Sequence, residues 1–431
     1  MKPVLLVAGT RPEAIKVAPV IEHLRRLGVD FVFVWSGQHY DYEMARTFFE
    51  QLSLPEPDES LNVRSGTHSE QTARAMVKLE KTVHRCQPSI VVSEGDTNTV
   101  VATAVTSAKC RVPFAHVEAG LRSWNMAMPE EINRKIVDSV SSLHFAPTRL
   151  AALNLLFEGI SPKGLHVTGN TIVDVVNKHK DTAGQVGEEL LDKLGLEKRR
   201  YLLVTIHRAE NTDNASRLRN IVRALGELSK EFRVVFPVHP RTVLRVAKLG
   251  LQRLWRGVSR LTPLGYWEFL GLLMNCLTVI TDSGGVTEEA CTLRVPCVTL
   301  RYNTERPETL MHGNVLAGDR TRTILSVVRS QTRRSAEIGG DSSANPLGDG
   351  DAGQRIAAVL RNSIESDLRI AEPDLRKTPF VTYRLLTARQ VPHLRRYVSL
   401  VAFDKFGLSH IPGEVKCRSS LLIRSKNSRL R

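Results

Sequence analysis

The residues best suited to chemistry in this 431-residue sequence fall into short polar clusters, each placed directly after an apolar run. The first is Gly9-Thr10-Arg11-Pro12-Glu13-Ala14-Ile15-Lys16. Gly9 permits a tight turn, and Pro12 suits a first helical turn, where its missing N–H leaves no bond unmade. A helix start offers free N–H groups and a partial positive charge, and Arg11 and Lys16 add full charges, a set suited to phosphate. An ordinary capped helix with surface cations accounts for the same residues. The second cluster, Glu94-Gly95-Asp96-Thr97-Asn98, puts Asp96 where it either faces a ligand or caps the following helix. The third, His116 to Arg122, carries Glu118 beside Gly120 and Arg122, either a ligand-facing acid or half of a loop ion pair. Soon after it, Pro129-Glu130-Glu131 opens a helix, where the dipole alone favours glutamate.

A fourth cluster, Thr205-Ile206-His207-Arg208-Ala209-Glu210-Asn211, presents a histidine, the side-chain type suited to proton transfer or phosphate contact near neutral pH. His239 in Pro237-Val238-His239-Pro240 is a second histidine of this kind, and either could be an ordinary loop residue. The most specific cluster is Thr281-Asp282-Ser283-Gly284-Gly285-Val286-Thr287-Glu288-Glu289. Paired glycines at a strand-to-helix turn let backbone N–H groups approach a diphosphate, with the helix dipole behind them. Glu289, one turn into that helix, is placed to bridge two ribose hydroxyls. Downstream, Thr304-Glu305-Arg306-Pro307-Glu308 supplies a cation to the same edge. The Gly-x-Gly-x-x-Gly fingerprint is missing from the first turn, so a dinucleotide site is not expected there. Walker A, His-Glu-x-x-His and nucleophile-elbow motifs are also absent, and no set of metal ligands is visible.

These clusters need strands and helices to hold them. Strands are expected at Val4–Ala8, Phe31–Trp35, Ile90–Ser93 and Pro113–Val117, alternating with helical patterns at Pro12–Arg26, Ser69–Arg85 and Asn98–Ala108. The alternation restarts with strands at Tyr201–Thr205, Arg233–Pro237, Leu277–Thr281 and Cys297–Leu300, and helices at Asn214–Leu228, Tyr266–Asn275 and Val286–Leu293. The reading is α/β, with two doubly wound domains facing a cleft and ligands at the carboxyl ends of the strands. A polar helical stretch, Asp174–Glu197, carries the boundary, dividing the chain into residues 1–175, 176–365 and a tail, 366–431. Ser335–Gly353 reads as loop, and Ile356–Ile364 as a short amphipathic helix, with a return to the first domain left open.

Composition narrows the partners. The net charge is +15, and the tail alone holds 14 Lys and Arg against 5 Asp and Glu, so the rest needs only an anionic small substrate. The tail could be an extension, a nucleic-acid or membrane-binding arm, or an out-of-frame translation. Six cysteines without a C-x-x-C pair fit buried thiols in a reducing compartment rather than a disulfide framework. No apolar run is long enough to span a bilayer, and Thr10-Arg11-Pro12-Glu13 follows the first apolar run where a cleavage site would stand. A cytoplasmic protein is expected.

Taken in order, Gly9–Lys16, Gly95-Asp96-Thr97, His116–Arg122, Pro129–Arg134, His207-Arg208, Ser283–Glu289, Thr304–Glu308 and Asn345–Gly350 resemble the non-hydrolysing UDP-N-acetylglucosamine 2-epimerases over roughly residues 1–365. The resemblance implies a GT-B fold of two Rossmann-like domains with UDP in the cleft, usually as a homodimer. It implies UDP-GlcNAc converted to UDP-ManNAc by loss and re-addition of UDP across 2-acetamidoglucal, with no cofactor. By position, Asp96, Glu118 and Glu130 become the acid/base carboxylates and His207 attends the diphosphate. Arg11, Lys16, Ser283, Gly284 and Gly285 become phosphate or nucleotide contacts, with Glu289 on ribose and Arg306 in the same site. Leu264 stands where many bacterial members carry Gln, which implies uracil contact through backbone atoms with Phe269 packed nearby. Two other activities share parts of this pattern: 2-epimerisation of a UDP-2,3-diacetamido sugar acid, and GT-B glycosyl transfer, which has no need of the three carboxylates.

Overall fold

The computed structural model describes residues 2–38, 49–337, 344–366 and 368. The calls on the basic tail, apart from residues 366 and 368, lie outside the described residues. Short β-branched runs form the strands. β1 (Val4–Ala8), β2 (Phe31–Trp35), β3 (Glu59–Ser60), β4 (Ile90–Glu94), β5 (Phe114–Val117), β6 (Leu143–Ala146) and β7 (Leu165–Val167) make one parallel sheet. Between them run α1 (Arg11–Arg26), α2 (His68–Cys86), α3 (Asn98–Lys109), α4 (Pro129–Val140) and α5 (Arg149–Phe157). After β7, α6 (Thr171–Leu194) leads to a second parallel sheet of β8 (Tyr201–Thr205), β9 (Arg233–Pro237), β10 (Ser259–Leu261), β11 (Thr278–Thr281), β12 (Cys297–Thr299) and β13 (Asn314–Leu316). Its helices are α7 (Ala209–Thr212), α8 (Ala215–Leu228), α9 (Pro240–Lys248), α10 (Tyr266–Asn275), α11 (Gly284–Thr292) and α12 (Thr321–Glu337), and α13 (Ala352–Glu365) follows.

The strand orders are β3-β2-β1-β4-β5-β6-β7 and β10-β9-β8-β11-β12-β13. Each sheet therefore reverses its winding once, between β1 and β4 in the first and between β8 and β11 in the second. At such a point the two loops leaving the carboxyl ends diverge and open a crevice. The architecture is α/β with two Rossmann-like halves, the GT-B arrangement that the resemblance implies.

Both sheets are covered on both faces, which explains why their strands read as continuous apolar runs rather than alternations. Val4, Leu6 and Ala8 enter one core of the first half, and Leu5 and Val7 another. Tyr201 and Leu203 are divided in the same way from Leu202 and Val204 in the second half. The expected polar boundary segment falls in the long helix α6 up to Leu194, and this helix packs along α10 where Gly187 and Gly271 meet. A Cβ on Gly187 would lie 2.7 Å from the Gly271 Cα.

The last helix starts earlier than its apolar pattern suggested, at Ala352 rather than Ile356. Its own Asp351 makes no side-chain cap. The carboxylate of Asp174, from α6, instead accepts from Ala352 N (3.2 Å) and Gly353 N (2.8 Å), satisfying orphan donors of the first turn. Ile356, Ala357 and Leu360 then complete the core beneath the first sheet beside α1. Several edge strands had no clear sequence signal: β3, β7, β10 and β13 have only two or three residues each.

Because the α6–α10 crossing has no room for a methyl group, Gly187→Ala is expected to destabilise the fold by about 1–3 kcal/mol. A lowered denaturant midpoint at unchanged slope is the measurement that checks it.

Candidate active site

Elements from both sheets deliver the polar clusters to one region. After β1, the turn is closed by a capping box in which Glu13 accepts from Gly9 N (2.5 Å) and Thr10 N (3.0 Å). Its other oxygen accepts from Thr97 Oγ1 at 2.5 Å, so one carboxyl ties the β1–α1 turn to the β4–α3 turn across the switch point. Burial pushes the Glu13 carboxyl up to about 7 despite these three donors. Gly9 is required by close approach, since a Cβ there would meet Thr99 Oγ1 at 2.2 Å.

One turn further, Lys16 is buried among carboxylates. Its ammonium donates to Glu118 and lies 3.0 Å from Glu288 and 3.4 Å from Glu94. Arg306 completes the cluster, paired with Glu288, with Glu305 at 2.5 Å and with Glu118 at 3.6 Å. Asn170 Nδ2 donates to Glu118 (3.0 Å) and Glu288 (2.9 Å). Burial works against the Glu118 charge, but Lys16 and Arg306 outweigh it and hold the carboxyl well below its usual range. Burial wins at Glu94, which is pushed well up. Glu118 itself sits at φ 70°, a left-handed conformation that a side-chain-bearing residue rarely adopts. Lys16, expected as a phosphate or nucleotide contact, and Arg306, expected in the same nucleotide site, pair with carboxylates in a cluster that joins the two halves, and Lys16 also lines the cavity described below.

The carboxylate side is built on α4. Asp96 pairs with the Arg134 guanidinium, and its carbonyl accepts from Asn133 Nδ2 at 2.7 Å. Arg134 is buried and backed by Glu131 at 2.6 Å. Glu131 also accepts from Ser123 N (2.9 Å) and Trp124 N (3.0 Å). The two helix-start glutamates therefore differ: Glu131 is buried and structural, whereas Glu130 is 40% exposed and faces Arg208 of the second half at 3.9 Å. His116 braces the same loop, with Nε2 2.8 Å from the Gly95 carbonyl and Nδ1 2.6 Å from Asp138.

In the second half, buried Asp282 organises the turn after β8. It accepts from His207 N (3.1 Å), Arg208 N (3.1 Å) and Asn211 Nδ2 (3.1 Å), leaving the His207 ring half exposed. Arg208 is surrounded by Glu305, Glu130, Asp96 and Asp282, whose charges outweigh burial and raise its pKa. His239 caps α9 through Arg241 N, and its pKa is lowered by burial first, then by His207, Arg241 and Arg11. Arg11 from the first half therefore acts electrostatically on His239 of the second.

Between these walls lies a cavity of about 490 Å³. Its lining includes Arg11, Ile15 and Lys16 from the first half, and Leu264, Tyr266, Phe269, Ser283, Gly285 and Glu289 from the second. The helix after Ser283 begins at Gly284, two residues before the apolar pattern suggested, so both glycines belong to its first turn. They do different work. A Cβ on Gly284 would meet Arg306 Nη1 at 2.5 Å, so this glycine makes room for the ion cluster. A Cβ on Gly285 would meet only Ser283 Oγ, at 3.9 Å, beyond its own helix backbone, and Gly285 lines the cavity. Glu289 is pushed up to about 8, by burial and then by Glu288, while its bond with Tyr266 opposes the shift. Gln51, whose Oε1 accepts from Tyr266 N at 3.1 Å, joins the lining without any motif to mark it.

The arrangement offers apolar walls for a flat ring, open amides at a helix start for an anion, a carboxyl for a diol, and carboxylates beside the anion end. Asp96, Glu118, Glu130, His207, Gly284 and Arg306 are absent from the cavity lining itself. Glu118, Gly284 and Arg306 adjoin it through the cluster around Lys16, while Asp96 and Glu130 act together on Arg208 of the second half.

Comparison with known proteins places this site in a family. The family described as UDP-N-acetylglucosamine 2-epimerase matches residues 22–361. The UDP-N-acetylglucosamine 2-epimerase of Methanocaldococcus jannaschii is 42% identical over 368 residues, covering 82% of this chain and 98% of that protein. A UDP-2,3-diacetamido-2,3-dideoxy-D-glucuronate 2-epimerase of Pseudomonas aeruginosa is 39% identical over 361 residues, covering 83% of this chain and 99% of that protein. The crystal structure of the M. jannaschii enzyme in complex with UDP-GlcNAc and UDP is similar with a TM-score of 0.78 at 41% identity, covering 84% of this chain and all of that one.

The Glu289 shift carries a stability prediction. Its carboxyl is at about 8 when folded against 4.5 ordinarily, so folding takes up a proton between those values. The neutral carboxyl's contribution is fully present below about 4.5 and is lost as pH rises through about 8. Glu289→Gln stays neutral throughout. Its stability relative to the unmodified protein should therefore climb between pH 4.5 and 8 and level off above, as followed by denaturation at stepped pH. A pH-independent difference would contradict the assignment.

Proposed function

The chain belongs to the UDP-N-acetylglucosamine 2-epimerase family, and from that premise we propose that it interconverts UDP-GlcNAc and UDP-ManNAc by inversion at sugar C2. The observation that carries the reading is that strand-end edges of both sheets line one cavity, where Arg11 and Lys16 meet Ser283, Gly285 and Glu289, and Lys16 pairs with the Glu118 carboxylate.

The chemistry asks for such a division. The C2 proton is not flanked by a carbonyl, so removing it alone is costly. If the C1–O bond breaks and its electron pair leaves with UDP, positive character at C1 makes the C2 proton labile. A carboxylate takes that proton and 2-acetamidoglucal forms. Re-addition returns a proton to the opposite face of C2 while the UDP oxygen bonds again to C1. Asp96, Glu118 and Glu130 are the carboxylates in this scheme, with Glu118 acting from within its ion cluster. His207, Arg11 and the amides of Ser283, Gly284 and Gly285 stabilise the departing diphosphate. Glu289 holds the ribose, Leu264 offers backbone atoms to uracil and Phe269 packs beside it. Lys16 and Arg306 set the electrostatics beneath the nucleotide.

In this reading the first sheet with its helices (residues 1–175) and the second (176–365) act as two domains that retain UDP until it re-adds, shielded from water. The enzyme works without a cofactor, in the cytoplasm, as a homodimer. Ile132, Ile136 and Val140, exposed at successive turns of α4, give the dimer an apolar face. Among the described residues no helix is long and apolar enough to cross a membrane. The P. aeruginosa relative supports a second substrate, a UDP-2,3-diacetamido sugar acid, and parallel assays with both substrates separate the two readings.

Turnover of UDP-GlcNAc in deuterium oxide should yield UDP-ManNAc with deuterium at C2, read by NMR or mass spectrometry. A product that retains its original C2 proton excludes the mechanism. Glu130→Ala and His207→Ala should each lower turnover by at least ~100-fold. Near-normal rates in both would overturn these roles.

A further inference from the structure

Away from the cleft, three side chains of metal-ligating type converge on the first half. Glu80 and His84 stand one turn apart on α2, at i and i+4, so they share one face of the helix. Cys110 is the C-cap of α3. One ligand atom from each lies within 4.8 Å of the others. The sequence hides the set, because Cys110 follows His84 on a separate helix and no motif links them.

We propose that Glu80, His84 and Cys110 form a binding site for a zinc-class divalent transition-metal ion, which bridges the C-terminal ends of α2 and α3. Three features support this choice of ligand. A carboxylate, an imidazole and a thiolate are the donor types that Zn²⁺ accepts in tetrahedral sites, with water filling the fourth position. Ligand bonds of about 2.0–2.3 Å set donor separations of roughly 3.3–3.8 Å in a tetrahedron, a small side-chain adjustment from the present spacing. The site also lies where two helices end, and helix C-termini favour cations.

The donors are not committed elsewhere. Neither the Glu80 carboxylate nor the His84 ring enters a hydrogen bond or ion pair among the described residues, and Arg85 is turned to Glu59 at 2.5 Å. Burial pushes the Cys110 thiol up, and the Glu80 carboxylate pushes it further. A divalent cation reverses the second effect, and its binding releases the thiol proton to solvent. Since α3 spans about 18 Å, the site lies at the opposite end of that helix from the β4–α3 turn, so its role is to clamp two helices rather than to act on substrate.

The test uses the full-length reduced protein and two probes, Co²⁺ and Zn²⁺ alone. Co²⁺ should produce a thiolate-to-metal charge-transfer band at a 1:1 ratio. The band should persist in Cys86→Ser and Cys417→Ser and vanish in Cys110→Ser. Zn²⁺ titrated calorimetrically should bind His84→Ala at least ~10-fold more weakly and Glu80→Gln several-fold more weakly, with melting of the metal-free variants unchanged. A band that survives in Cys110→Ser, no band at all in the unmodified protein, or equal Zn²⁺ affinity in the unmodified protein and His84→Ala each overturns the proposal.

Discussion

Two cations and a set of carboxylates buried where the halves meet govern the rest of this structure. Lys16 comes from the first half and Arg306 from the second, and both reach Glu118 and Glu288. Taking such charges out of water costs several kcal/mol per ion, and only close pairing offsets it. The chain meets that condition with specific devices. Gly284 vacates the space that Arg306 occupies, Glu118 accepts a left-handed backbone, and Asn170 supplies a donor to one carboxylate from each half. Removing any single charge would strand its partners without solvent, so the cluster fixes one registration of the two sheets.

That registration is what makes the crevice. Each sheet alone offers a switch point, a common place for a ligand to bind. Only when the two face each other does Arg208 reach Glu130 and Asp96, and only then do Arg11 and Gly285 line the same cavity. The groups proposed to bind the diphosphate and the carboxylates proposed as acid and base thus come largely from different halves. Expelling a diphosphate and moving a proton on the neighbouring carbon require both at once.

Much of this was legible in the sequence. Central strands announce themselves because burial on both faces demands unbroken β-branched runs, and Val4–Ala8, Phe31–Trp35 and Tyr201–Thr205 match their expected limits. Glycine and charge after each run marked the ligand edge. Other features depend on partners distant in the chain. The early start of the last helix needs Asp174 as its cap, and Gln51 enters the cavity through its bond to Tyr266. Likewise, Pro129-Glu130-Glu131 does not say which glutamate faces inward; the loop amides of Ser123 and Trp124 select Glu131 for burial. The carboxylates that pair with Lys16 were not legible beside it, because they lie up to 272 residues away.

A crystal structure with UDP bound measures directly whether the two edges act as a single site. A single site puts the β-phosphate within hydrogen-bonding reach of the Ser283–Gly285 amides, with the Arg11 guanidinium closing on it from the opposite sheet and uracil between Leu264 and Phe269. A nucleotide held by one half alone, with Arg11 and the α11 start on separate surfaces, would contradict it.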